Sequence, residues 1–135
     1  QLASEKPPFF FCFRLNRYRF LNQMKDFFDC DDGPLSLTAV KVQGLQVQSI
    51  CAVVVLTDQV VDVLSLAYVE KFKERLSSCL DERPDESASL VGWRLLLSFT
   101  ADWDWLLNQF SFEHVDYYDL FVSDDQFLQA SSESV

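Results

Sequence analysis

The feature that most limits this chain is a run of seven apolar residues, Ile50-Cys51-Ala52-Val53-Val54-Val55-Leu56. It is rich in Val, whose branched side chain suits a pleated, packed surface, so it reads as a buried strand. It is also the longest apolar stretch, and a helix needs about 20 such residues to cross a bilayer, so no membrane span is expected. A strand of this kind needs a core around it. Composition supplies one, because 49% of the 135 residues are hydrophobic and 13 are Phe. That length suits one domain and that apolar content excludes a wholly disordered chain. With 3 Gly and 4 Pro, the chain is neither a linker nor a fibrous protein.

Charge narrows the function classes. The chain has 11 basic and 21 acidic residues, a net charge of −10, which argues against gripping nucleic acid over the whole surface. The charge is also polarised. Lys6, Arg14, Arg17, Arg19 and Lys25 lie in the first 25 residues, whereas residues 101–135 carry eight acids and no Lys or Arg. The four cysteines, Cys12, Cys30, Cys51 and Cys79, show no CxxC spacing, and His114 is the single histidine. That pattern argues against zinc and reads as free thiols in a reducing compartment. The N-terminus has no basic stretch followed by an apolar one, so no secretory signal is expected.

Phe9–Arg19 begins as an extended piece in which Phe9, Phe11, Phe13 and Leu15 share a face. A helix follows at about 18–29, with Phe20, Leu21, Met24, Phe27 and Phe28 in an i, i+1, i+4, i+7, i+8 stripe. Cys30-Asp31-Asp32-Gly33-Pro34 stops it. In Leu35–Ser49, Val40 and Val42 occupy even positions before Gly44, and Leu45 and Val47 odd ones after it. A change of face at glycine marks a β-bulge. After the buried strand, Thr57-Asp58-Gln59 turns the chain and Val60–Leu66 reads as another strand. Ala67–Leu80 has helical spacing at Val69, Phe72, Leu76 and Leu80. Asp81–Ser89 is a charged loop and Leu90–Phe99 a strand. Residues 101–109 fit either a helical turn or a hairpin tip. Phe110–Tyr118 reads as a strand, and residues 123–130 as a short terminal helix. The expected organisation is an N-terminal extension and helix at 1–33, a barrel at 34–122, and a short C-terminal helix and tail at 123–135. Five strands, a bulged first strand and a helix between the third and fourth predict a mainly β fold with flanking helices, a five-stranded OB-fold Greek-key barrel. A small α+β sheet of different strand order is the alternative.

Pro34-Leu35-Ser36-Leu37-Thr38-Ala39-Val40-Lys41-Val42-Gln43-Gly44 resembles the first strand of small OB-fold accessory subunits of genome-maintenance complexes. The spacing of Gly92-Trp93-Arg94-Leu95-Leu96-Leu97 to Phe112–Leu120 is similar to their fourth and fifth strands. The families are the small subunit of the RecQ-mediated genome instability complex, the smallest subunit of the telomere-capping trimer that resembles replication protein A, and fly-type telomere-capping complexes. The resemblance covers about residues 34–122 at the level of pattern. It implies a nuclear subunit that docks to a larger OB-fold protein, often through a C-terminal helix, here Asp124–Ala130 with Phe127 and Leu128.

The expected function is accordingly non-catalytic: to bind and stabilise a larger OB-fold partner in a genome-maintenance or telomere-capping complex, with no cofactor, metal or small-molecule substrate. The docking residues expected are Phe20, Leu21, Met24, Phe27 and Phe28, joined by Trp103, Trp105, Phe127 and Leu128. The competing structural reading is that these side chains cover the protein's own core. A second hypothesis is direct binding of single-stranded DNA, with Phe11, Phe13, Arg14, Arg17, Tyr18 and Arg19 supplying stacking faces and cations. A third is an α+β interaction adaptor. His114, with Glu113 and Asp116, lacks the positioned nucleophile that general acid–base catalysis requires, and reads as a rim residue. Asp29, Asp31 and Asp32 lack the spacing of a calcium loop and read as loop acids.

Overall fold

The computed structural model describes residues 9–30, 37–44, 50–56, 60–82, 93–122 and 127–128. Its elements are β1 (Phe9–Arg14), α1 (Arg17–Phe28), β2 (Leu37–Gly44), β3 (Cys51–Leu56), α2 (Leu66–Glu82), β4 (Trp93–Phe99), α3 (Trp103–Gln109), β5 (His114–Val122) and β6 (Phe127–Leu128). They form one six-stranded mixed sheet of order β5-β2-β3-β4-β1-β6. β1 runs parallel to both β4 and β6, and β2 runs parallel to β5. The β2–β3 and β3–β4 pairs are antiparallel.

Alternation along the strands divides the core in two. Phe11 and Phe13, Leu37 and Ala39, Cys51, Val53 and Val55, and Trp93, Leu95 and Leu97 share the face covered by the helices. Phe20, Met24 and Phe27 of α1, Ala67, Tyr68 and Phe72 of α2, and Leu106 of α3 complete that cluster. Rings join the layers: Phe72 stacks on Phe11 with centroids 4.4 Å apart, and Phe20 stacks on Phe99 at 5.5 Å. The opposite face holds a second buried cluster of Cys12, Val40, Val42, Ile50, Ala52, Val54, Leu96 and Phe127, to which no described helix contributes. β3 is therefore buried on both faces, which is why its sequence shows no polar alternation.

The Phe-rich β1 passes directly into α1. The Leu15 N–H donates to the Ser98 carbonyl at 2.9 Å, extending the β1–β4 pairing by one step. Asn16 then caps the helix, its Oδ1 accepting from the Arg19 N–H at 2.8 Å.

Four expectations are corrected. The sheet does not close into a five-stranded barrel; among the described residues it ends at β5 and β6. Strand and helix periodicity reports which side of an element is buried, and says nothing about its neighbour in the sheet, so the strand order was open. The mainly β arrangement with flanking helices does hold, and its single sheet draws strands from 1–33, 34–122 and 123–135 alike. Second, Val60–Leu66 is a set of turns leading into α2: Val63 and Leu64 N–H both donate to the Val60 carbonyl. Buried Val60, Leu64, Ala67 and Tyr68 follow i, i+4, i+7, i+8 spacing, a helical signal masked by the valines. Third, Phe127 and Leu128 pair in parallel with Cys12 and Phe13 as a strand, while the rest of the expected terminal helix lies outside the described residues. Fourth, the register shift in β2 falls between Lys41 and Gln43, and Gly44 is a regularly paired residue opposite Val122. The stop at Asp31–Pro34, the turn at 57–59 and most of the loop at 81–89 also lie outside the described residues.

Candidate functional site

The face of α1 that carries Phe20, Met24 and Phe27 is spent on the protein's own core, with all three side chains fully buried. Leu21 is half-buried, and Phe28 stacks on Phe110 at 5.5 Å with nearly parallel rings. Trp103 and Trp105 are half-buried and pack on the core as well. Phe127 and Leu128 belong to the sheet. Of the residues expected to dock a partner, most are thus engaged within the fold.

The basic-aromatic segment is dispersed. Phe11 and Phe13 are 1% and 0% exposed, leaving no ring face for a base to stack on. The Arg14 guanidinium lies 4.2 Å from the Phe127 ring centre, and that of Arg17 lies 5.8 Å from Trp105. Arg19 hydrogen-bonds to Tyr68. The three cations therefore engage β6, α3 and α2 separately.

What the fold does assemble is a cleft of about 110 Å³ between α1 and the start of α2, lined by Tyr18, Arg19, Asn22, Gln23, Asp26, Ser65 and Tyr68. Its floor is fixed by Gln23, a polar residue inside the apolar stripe of α1. The Gln23 Nε2 donates to the Val63 carbonyl at 3.0 Å, and its Oε1 accepts from the Ser65 N–H at 3.2 Å. Both ends of this buried amide are thereby satisfied by the turn that precedes α2. The wall is Tyr68, whose hydroxyl bonds to Arg19 and Ser65. Burial pushes the Tyr68 phenol above its ordinary pKa, an effect partly opposed by the Arg19 charge and these hydrogen bonds.

The rim is open. Tyr18 is 61% exposed, and Leu66, next in sequence to the cleft residue Ser65, is 70% exposed. These are two of the three large hydrophobic residues that are exposed among the described residues, Val115 being the third. Sequence reasoning found Tyr18 and Arg19 but missed the rest of the cleft. The available signal was Gln23 itself, a polar residue three after Phe20 and four before Phe27 on a stripe that is otherwise apolar.

The remaining chemistry-bearing residues are scattered. His114 and Glu113 are exposed and 3.7 Å apart, a solvated pair of small energetic worth. Cys12, Cys30 and Cys51 are free thiols, and among the described residues no three His, Cys, Asp or Glu gather where a metal could sit. Asp31 and Asp32 lie outside the described residues. No helix among the described residues is long and apolar enough to cross a membrane. No family model, curated protein or solved structure matches the chain.

Proposed function

We propose that this chain is a non-catalytic binding subunit that docks to a larger protein through the mouth of the α1–α2 cleft. The observation that carries the reading is that exposed Tyr18 lines a preformed polar cleft containing Arg19, with exposed Leu66 next in sequence to the lining residue Ser65. Tyr and Arg are the side chains that most often anchor protein interfaces, where a central pocket is ringed by apolar contacts. The cleft is also rigid, because Gln23 ties its floor to the preceding turn. A preformed surface loses little freedom on binding.

Direct binding of single-stranded DNA draws less support, since Phe11 and Phe13 are core, which leaves Tyr18 as the exposed ring of that set, and its cations face three separate elements. The nuclear genome-maintenance setting rests on resemblance in strand spacing and sets the choice of material for the test. The purified full chain is immobilised and exposed to nuclear extract, beside a Tyr18→Ala/Leu66→Ala variant. A larger protein held by the first and lost by the second supports the reading, and an OB-fold protein among those held supports the wider setting. Equal capture by both overturns docking at this face, and a metabolic enzyme as sole stable partner overturns the setting.

A further inference from the structure

Resting on the docking reading above, we infer that the cleft receives an acidic side chain, Asp or Glu, of the partner protein. Its lining offers hydrogen-bond donors from Tyr18, Arg19 and Asn22 against the single carboxylate of Asp26, Ser65 being engaged with Gln23 and Tyr68. Gln23 is not counted among the donors, because its side chain is 2% exposed and its amide is held by Val63 and Ser65. The Tyr68 hydroxyl is likewise occupied by Arg19 and Ser65. The guanidinium of Arg19 has five N–H groups in a planar fork suited to a carboxylate. Its hydrogen bond to Tyr68 holds that fork in the cleft, and among the described residues no carboxylate lies within ion-pair distance of it.

Size agrees with this occupant. A cleft of about 110 Å³ has room for a carboxymethyl or carboxyethyl group. Asp26, two turns from Arg19 along α1, supplies the opposing sign at the other end. It disfavours a second anionic group in the same cleft, so the site suits one carboxylate carried on a chain rather than a small polyanion. The whole molecule carries −10, so an acidic partner gains nothing from long-range attraction and its selection depends on this local donor set.

The test is a ¹H–¹⁵N NMR titration of the full chain with N-acetyl-glutamate N-methylamide and, in parallel, N-acetyl-lysine N-methylamide and acetate. The expected result is saturable shifts at Tyr18, Arg19, Asn22 and Tyr68 with the glutamate probe and none with the lysine probe. Arg19→Gln weakens binding about tenfold, the value of one charge-assisted bond. Asp26→Asn, an exposed substitution that leaves the core alone, strengthens it about twofold. Equal response to the lysine probe, an unchanged affinity in Arg19→Gln, weaker binding in Asp26→Asn, or no saturable shift overturns the inference. Acetate binding as tightly as the capped glutamate overturns the assignment to a protein side chain. The docking reading fails separately, when Tyr18→Ala/Leu66→Ala leaves protein capture unchanged; capture that depends on those residues but ignores Arg19→Gln overturns the carboxylate inference alone.

Discussion

Gln23 lies in the middle of an apolar helix stripe, yet each end of its amide has a partner, Val63 on one side and Ser65 on the other. Replacing it with Met keeps the volume and strips the part-buried Val63 carbonyl and Ser65 N–H of this partner. The expected cost is roughly 1–3 kcal/mol, read as a lower urea midpoint at unchanged slope. Cys51 is a comparable case on the sheet. Its buried thiol donates toward the Ala101 and Asp102 carbonyls at 3.0 and 2.9 Å, tying β3 to the turn that opens α3. Burial first, and then the Asp102 charge, push that thiol up to about 11, while burial pushes Cys12 up to about 12. Both folded values lie above the ordinary thiol value of 9.0, so the folded state holds protons that the unfolded chain releases. The resulting stabilisation is complete below about pH 9 and is lost as pH climbs toward 12, where urea midpoints should fall steadily. At neutral pH, alkylation followed by peptide mass spectrometry should label half-buried Cys30 ahead of Cys12 and Cys51.

At the scale of elements, much was legible where a local rule decides. The stripe from Phe20 to Phe28 has helical period, and α1 forms over Arg17–Phe28, close to the span its period predicts; the Asn16 cap that starts it was seen only in the structure. Asn16→Ala should cost about 1 kcal/mol in chemical denaturation. The Val-rich run and the stretch around Leu95 likewise become β3 and β4. Legibility ends where two periods overlap or where a distant contact decides. Val60 and Val61 look like a strand because valine favours one, yet Val60 and Leu64 are buried one helical turn apart. Phe127 looks helical in its local sequence, but it is held as a strand by pairing to Cys12 and by the Arg14 guanidinium over its ring. The cleft escaped for the same reason, since its two walls are more than 40 residues apart in sequence. On β1, Phe13→Ala should be severe, because a fully buried ring edge-on to Tyr68 is removed from the centre of the core. A loss of about 3–5 kcal/mol in unfolding free energy is expected.

For the whole molecule, the deciding fact is that β1 has no neighbour close to it in sequence. Phe9 pairs with Trp93 and Cys12 with Phe127, so both neighbours of the second strand from one edge come from far along the sequence. Such pairings close long loops before they return any energy. A chain ending at residue 92 should therefore show no cooperative thermal transition, because it lacks both strands that flank β1. While the polypeptide is still being made, Phe-Phe-Phe-Cys-Phe emerges well before Trp93–Phe99 and Phe127–Leu128, and must wait for both of these mates. That interval exposes a sticky aromatic ribbon, and the cell's holding chaperones are the natural readers of it.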